Sequence, residues 1–205
     1  MTMHFVDMIE NRVSTNAFDS KKDVPADQIQ QLVRLATHAP TAYNLQNWRF
    51  VAVHSQEARA RLRAVANDQP KITDAAVTFI IAGSLPDHAD VAPRLRPAVE
   101  AGFMPQRMAD GWVDAVRQAY EHHPGRQRDE AFRTATFAGA TLMFAAQAFG
   151  LASCPMGGFD PDGVARAFGL APNEIPVMLL AVGHAAEGNW PAKPRRPVAE
   201  VLSLV

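Results

Sequence analysis

Residues 128–150 read RDEAFRTATFAGATLMFAAQAFG. The stretch is acidic near its start, apolar on nearly every side after that, and followed by Gly150, the residue type that most easily closes a helix in left-handed backbone. It reads as one long helix. A helix that is apolar all round belongs in the interior, so this is a central helix or an interface helix. Two other runs fit that picture, AVTFIIAG at 76–83 and IPVMLLAVGH at 175–184. Both are of strand length and almost unbroken in hydrophobicity, as strands covered on both faces are. A buried helix together with such strands predicts a layered sheet with helices on both faces.

The rest of the chain is read outward from these segments. Residues 3–11 suggest a short helix that ends at the polar cluster RVSTNAF, 12–18. Pro25 suits a first helical position, and PADQIQQLVRLATHA follows with helical spacing. WRFVAVH (48–54) is rich in β-formers, and QEARARLRAVAN (56–67) is amphipathic with a helical period. Residues 86–127 are rich in Pro, charge and His, with Trp112 and Tyr120 interspersed, and read as helical pieces on an excursion from the core. After the long helix come LASC, the loop PMGGFDPDG (155–163), the short helix VARAFGL and the second buried strand. The tail NWPAKPRRPVAEVLSLV is basic and Pro-rich, then apolar, so it should dock on something, such as a partner's sheet edge. A single domain over 1–205 accounts for all of this.

Bulk properties exclude several classes. The chain has 205 residues, a net charge of −1, 48% hydrophobic and 20% charged residues. That composition fits a soluble globular protein and offers no basic excess for nucleic acid or an anionic membrane. Apolar stretches such as VMLLAV are too short to span a bilayer. The start of the chain has early acidic residues and no apolar core of a signal peptide, and Cys154 has no partner for an internal disulfide. A cytoplasmic protein is expected.

Familiar catalytic motifs are missing. There is no GxGxxG after a strand, no phosphate loop, no HExxH and no GxSxG. His122 and His123 are adjacent and diverge, so they make no metal pair, and Cys154 reads as a structural thiol. What remains is distributed: Arg12 to Asn16, then Asn67 to Lys71, then Lys193 to Arg196, with the loops at 39–48 and 155–160 between them. Together they offer cationic donors suited to a phosphate and amides suited to the edge of a planar heterocycle.

In that order the clusters resemble the nitroreductase family of FMN-dependent oxidoreductases. RVSTNAF resembles the family's Arg-x-Ser-x-[Arg/Lys]-x-Phe. APTAYNLQNWRF (39–50) resembles Ala-Pro-Ser-x-x-Asn-x-Gln-Pro-Trp-x-Phe. PMGGFDP (155–161) resembles Pro-x-x-Gly-Phe-Asp, and KPRRPVAEV resembles a Lys-x-Arg ending. The resemblance runs through the chain and is thinnest over 86–127.

It implies an α+β layered fold, with a central mixed or antiparallel sheet flanked by helices and a C-terminal tail exchanged in a homodimer. FMN would sit at the dimer interface, and the segment around 86–127 would form a lid supplied partly by the other subunit. The residues carried over to the cofactor are Arg12, Val13, Ser14 and Asn16, then Pro40, Thr41, Asn44 and Gln46. From the rest of the chain come Asn67, Gln69 and Lys71, then Pro155, Met156, Gly157 and Gly158, and finally Lys193 and Arg195.

Arg12, Ser14, Lys193 and Arg195 would meet phosphate or ribityl oxygens, with Arg196 as the alternative to Arg195. Gln69, or Asn67 in its place, and Lys71 would meet the pyrimidine edge. Gly157 and Gly158 would bring backbone N–H near the flavin N5, and no side chain needs to act as acid or base. Phe103, Trp112, Tyr120, His122 and His123 are the lid residues considered for substrate contact.

Two departures stand out. Asn16 occupies a position that is usually basic, which implies a lower reduction potential, and Asn47 replaces the Pro before Trp48. Gly157 stands where many relatives have Glu. The implied activity is ping-pong transfer of hydride from NAD(P)H to an electron-poor small molecule, a nitroaromatic, quinone, enone or aldehyde. An FMN store or sensor without turnover is the alternative, as is a flavin-consuming or dehalogenating relative.

Overall fold

The computed structural model describes residues 5–205. Its centre is a four-stranded sheet in the order β1-β2-β4-β3, formed by β1 (Trp48–Val53), β2 (Val77–Ser84), β3 (Ala152–Met156) and β4 (Glu174–Gly183). Every pairing is antiparallel. The sheet is therefore not mixed, although its two central strands have the unbroken hydrophobicity more typical of covered parallel strands.

The period of two explains how both faces are buried. Phe79 and Ile81 of β2 and Leu180 and Val182 of β4 join one core, packed on α2 (Ala26–Ala36) and α7 (Pro124–Ala148). Ile80, Leu179 and Ala181 join the other, packed on α3 (Gln56–Ala64), α4 (Lys71–Asp74) and α8 (Pro161–Phe168). Helices do cover both faces, as the apolar runs predicted.

Helix α7 starts four residues earlier than the sequence pattern indicated, because Pro124 occupies its first turn, where a missing N–H costs nothing. Gly150, at φ 71°, lies just past its end. It is not buried all round. Ala131, Ala135, Ala138, Leu142 and Ala146 are buried, whereas Phe137 on another side is 46% exposed. Contact with the sheet is close enough that a Cβ on Gly83 would lie 2.1 Å from the Ala131 carbonyl oxygen.

The first helix, α1 (Phe5–Asn11), packs on α7, with Phe5 5.9 Å from Phe144 between ring centroids. The expected span of 3–11 partly precedes the described residues. Pro25 is the N-cap of α2 and not its first residue. The amphipathic run 56–67 is helical only to Ala64, because Asn67 and Asp68 turn the chain at positive φ.

The 86–127 segment is helical, as expected. It forms α5 (Val91–Glu100) and α6 (Gln106–Tyr120), with a small core of its own containing Leu45, Leu95, Met104 and Val116. Residues after Trp190 are exposed. No helix of the described residues is long and apolar enough to cross a membrane, and no metal-binding cluster occurs among them.

Candidate cofactor site

The segment after α1 runs beside β3 as an extra edge. Ser14 pairs with Ser153 in a parallel bridge, and the Thr15 N–H donates to the Ser153 carbonyl at 3.0 Å. Asn189 fixes the following turn. Its Oδ1 accepts from the N–H of Asn16 at 2.8 Å and of Ala17 at 3.0 Å, and its Nδ2 donates to the Ala17 carbonyl at 2.8 Å. Sequence reading missed Asn189, whose signal was only an amide before a tryptophan at the head of the basic tail.

These constraints bring the first and last clusters together. Arg12, Val13, Ser14, Asn16, Lys193 and Arg195 line one pocket of about 120 Å³, with Trp190, Pro191 and Ala192. Lys193 lies over the Trp190 ring, its Nζ 5.5 Å from the centroid. Arg195 is the tail arginine at the pocket. Arg196 is turned to Glu200, donating from Nε to Oε2 at 3.1 Å. Three cations and a hydroxyl line this space with no carboxylate among the lining residues. The Arg12 Nη1 is buried and has no hydrogen-bond partner among the described residues. A buried charged donor without an acceptor is costly unless a ligand completes it. The donor set fits a phosphate, a group that FMN carries.

Lys71 and Cys154 connect to this pocket through Asn16, and Gln69 ties the 157–160 turn to the segment that carries Lys71. Lys71 Nζ donates to Asn16 Oδ1 at 3.0 Å and to Cys154 Sγ at 3.6 Å. Burial pushes the Cys154 thiol up, against the opposing charges of Lys71, Arg12 and Lys193. Burial thus favours the neutral thiol, with Lys71 as its hydrogen-bonded cation. Gln69 Nε2 donates to the Gly158 carbonyl at 2.7 Å and to the Ala66 carbonyl at 3.1 Å. Its amide nitrogen therefore holds the turn in place. Asn67 Nδ2 would lie 3.4 Å from a Cβ on Gly158, so both alternatives from the sequence reach the turn.

The turn itself begins later than the motif suggested. Pro155 and Met156 still belong to β3, and Met156 is buried in the core facing α3, α4 and α8. Gly157 is exposed, and a Cβ there would meet nothing within 4 Å, so one side of the turn is open.

The 39–48 loop is elsewhere. It enters β1, at the opposite edge of the sheet from β3. Trp48 pairs with Gly83, which pairs with Ile175, whereas Cys154 pairs with Ala181. At ~4.8 Å per strand and ~3.3 Å per residue, the two places are separated by about 14 Å across the sheet and about 20 Å along it. Pro40, Thr41, Asn44 and Gln46 therefore do not join Arg12 and Lys193 within one chain.

The loop is nonetheless built with care. Tyr43, Asn44 and Gln46 take φ of 51°, 54° and 43°. That conformation is unfavourable for Tyr and Gln, and fixed partners hold it. Thr41 Oγ1 accepts from the Gln46 N–H at 3.2 Å, Arg94 donates to the Leu45 carbonyl, and Tyr43 meets Trp112 edge-on at 5.9 Å. Asn47, in the place of the expected Pro, is buried and donates from Nδ2 to the Ser84 carbonyl at 2.7 Å.

The lid residues divide. Phe103 stands 78% exposed at the α5–α6 turn. Tyr120 is buried, and its hydroxyl donates to Glu130 at 3.0 Å, so it faces inward. His122, at φ 63°, borders a cleft with Asp87 and Asn173, and His123 occupies the N-cap position of α7 without a side-chain capping bond.

Comparison with known proteins identifies the family. The Nitroreductase family model matches residues 9–184. This chain belongs to the nitroreductase family. Protein DrgA of Synechocystis is 34% identical over 209 residues, covering 98% of this chain and 96% of that protein. The CLA biosynthesis enone reductase of Lactiplantibacillus plantarum is 28% identical over 185 residues, 88% of this chain and 85% of that protein. Among solved structures, an Exiguobacterium sibiricum protein classed as a nitroreductase, in complex with FMN, superposes with a TM-score of 0.90. It is 28% identical and covers 99% of this chain and 98% of its own. The nitroreductase fold is thus the fold of this chain, and the protein is an oxidoreductase by family.

Proposed function

We propose that this nitroreductase-family protein is an FMN-dependent NAD(P)H oxidoreductase that reduces an electron-poor small molecule by a ping-pong mechanism. The observation that carries the reading is the pocket of Arg12, Ser14, Lys193 and Arg195, with the unpartnered buried Nη1 of Arg12. When bound, FMN would supply the hydride-transfer chemistry between NAD(P)H and the acceptor.

The chain's own residues bind and orient. Arg12, Lys193 and Arg195 would hold the phosphate, and Ser14 a ribityl or phosphate oxygen. Lys71 would place a positive charge near the pyrimidine edge, where negative charge accumulates on reduction. The open side of Gly157 leaves room for a backbone N–H to approach a planar ring, a space that a larger residue would narrow.

The site is completed by a second copy. Residues 39–48, at the opposite sheet edge, would meet the cofactor of the partner chain in a two-fold dimer. Exposed apolar surface supports that assembly. Phe5 and Val6 on α1, Phe137 on α7, and Val198, Val201 and Leu204 in the tail are each more than two-fifths exposed. A tail exchanged between subunits would cover much of it. The side of the site left open at Gly157 would admit donor and acceptor in turn, with Phe103 among the lid groups near it.

The FMN-bound relative and the enone reductase relative support this reading for the cofactor and for one class of acceptor. The test is anaerobic. Purified protein is mixed with NADH or NADPH, and then, after removal of the nicotinamide, with a nitroaromatic, a quinone or an enone. Bleaching of flavin absorbance in the first step and its return in the second are expected. Bound flavin that neither donor bleaches would instead identify a store or sensor.

A further inference from the structure

Most arginines with a close partner in this protein sit against carboxylates: Arg49 on Glu174, Arg63 on Asp68, Arg94 on Asp90, Arg117 on Asp114 and Arg196 on Glu200. Lys71 does not. Its two acceptors are the amide oxygen of Asn16 at 3.0 Å and the sulfur of Cys154 at 3.6 Å. Among the described residues it makes no ion pair. The Cys154 side chain is only 3% exposed. Ile72, the next residue along α4, is fully buried and anchors the backbone that carries Lys71.

A lysine has a flexible four-carbon stem and a strongly hydrated head, so left alone it would spread over many rotamers. A carboxylate partner would hold it but cancel its field. Two neutral acceptors hold it and leave the charge in place. An ammonium has three donors, and Asn16 and Cys154 take two. We propose that Asn16 and Cys154 are positioning residues that aim the Lys71 ammonium into the cofactor site without neutralising it. This inference rests on the reading of the site as an FMN site.

It also changes the meaning of Asn16. That residue gives up the positive charge usual at its position, but supplies the acceptor that fixes Lys71. Cys154, which otherwise only fills the core between β3 and α4, becomes part of the electrostatics of the flavin. A cation held at the pyrimidine edge stabilises the negative charge of the reduced flavin and so raises its potential.

The experiment measures the two-electron midpoint potential of the FMN-loaded protein. It compares wild type, Cys154→Ala, Cys154→Ser and Asn16→Ala, each with Lys71 and with Lys71→Met. With Lys71 present, Cys154→Ala and Asn16→Ala each shift the equilibrium toward oxidised flavin. The Asn16→Ala/Cys154→Ala double variant, measured alongside, shifts it by about tenfold, or about 30 mV for a two-electron couple. Cys154→Ser, which keeps an acceptor, restores most of the loss. In the Lys71→Met protein, Cys154→Ala changes nothing, because the one cation that Cys154 holds by a hydrogen bond is gone.

A shift of the same size with Lys71→Met, or no shift from either alanine with FMN bound, overturns the proposal and leaves the FMN reading intact. A wild-type protein that takes up no FMN overturns both. Asn16 is exposed, so its variant keeps the test alive should a Cys154 variant fold poorly.

Discussion

Replacing Arg12 by Ala separates a cofactor ligand from a structural arginine, because the two roles predict effects of opposite kind. The Nη1 of Arg12 is buried and unpartnered, and the residue lines the cationic pocket. A hydrogen bond to a charged group contributes about 1.5–3 kcal/mol, so losing the bond to a phosphate should weaken FMN binding by roughly 10- to 150-fold. The folded apoprotein loses no hydrogen bond from that atom. Removing an unsatisfied buried donor is favourable, while losing the packing of its aliphatic stem is unfavourable. The apoprotein should therefore stay within about 1 kcal/mol of wild type.

Adding Lys193→Ala, which removes a separate donor from the exposed tail, should bring the loss to at least about 150-fold if the two contribute independently. The assay is titration of apoprotein with FMN by fluorescence quenching, paired with urea unfolding of the apoprotein. Far-UV circular dichroism confirms that the fold persists. An FMN affinity within about threefold of wild type in the double variant would sink the phosphate assignment, since that is only ~0.6 kcal/mol. A large loss of apoprotein stability with unchanged FMN affinity would instead make Arg12 a structural residue.

Three other outcomes follow from the geometry. Gly83→Ala places a Cβ 2.1 Å from the Ala131 carbonyl. It must push α7 off the sheet, so urea unfolding should show a loss of about 3 kcal/mol or more, and a cost below about 1 kcal/mol would contradict the close packing.

Tyr120 is pushed up to about 12, first by burial and then by the Glu130 carboxylate. A raised folded value means its contribution to stability is whole below the ordinary tyrosine range near 10 and is lost as pH rises toward 12. Phenolate absorbance in a Tyr43→Phe protein should show this late titration, and ionisation at the ordinary value would refute the buried Tyr120–Glu130 pair.

Trimming residues 191–205 removes Val198, Val201, Leu202 and Leu204, all largely exposed on one chain. At ~1.5 kcal/mol or more for each that is buried by a partner, the dimer should weaken by at least about a thousandfold, as read by analytical ultracentrifugation. A trimmed protein that remains dimeric at low concentration would exclude the exchanged tail.

The sequence was most legible where burial imposes a period. The runs at 76–83 and 175–184 became the two central strands, and the alternation along Phe79, Ile80 and Ile81 assigns them to opposite cores. The stretch 128–150 was recognisable as a helix, but its exposed Phe137 was not, because an all-apolar helix does not show which side lacks a neighbour within the chain.

Short and tertiary features were harder. The four-residue helix that starts at Lys71 has no room for a periodic signal, and the positive φ of Asn67 and Asp68 interrupts a pattern that otherwise continues. For the candidate site, the cluster of Arg12, Ser14, Lys193 and Arg195 was anticipated from motifs, and the pocket assembles them. The separation of Thr41, Asn44 and Gln46 from that pocket could not be read. It follows from the strand order β1-β2-β4-β3, which puts sequence-adjacent motifs at opposite edges. The role of Asn189 was equally hidden, since an amide that caps two backbone N–H groups across the molecule leaves no local mark.

In the proposed mechanism two copies of the chain complete each flavin site. Native mass spectrometry of the purified, FMN-loaded protein tests this directly, with a Thr41, Asn44, Gln46 triple-alanine variant run alongside. The expected species is two chains carrying two FMN, with FMN lost from the loop variant although its own Arg12 and Lys193 are intact. A single chain that retains FMN, or a loop variant that binds it as wild type does, would contradict the shared site.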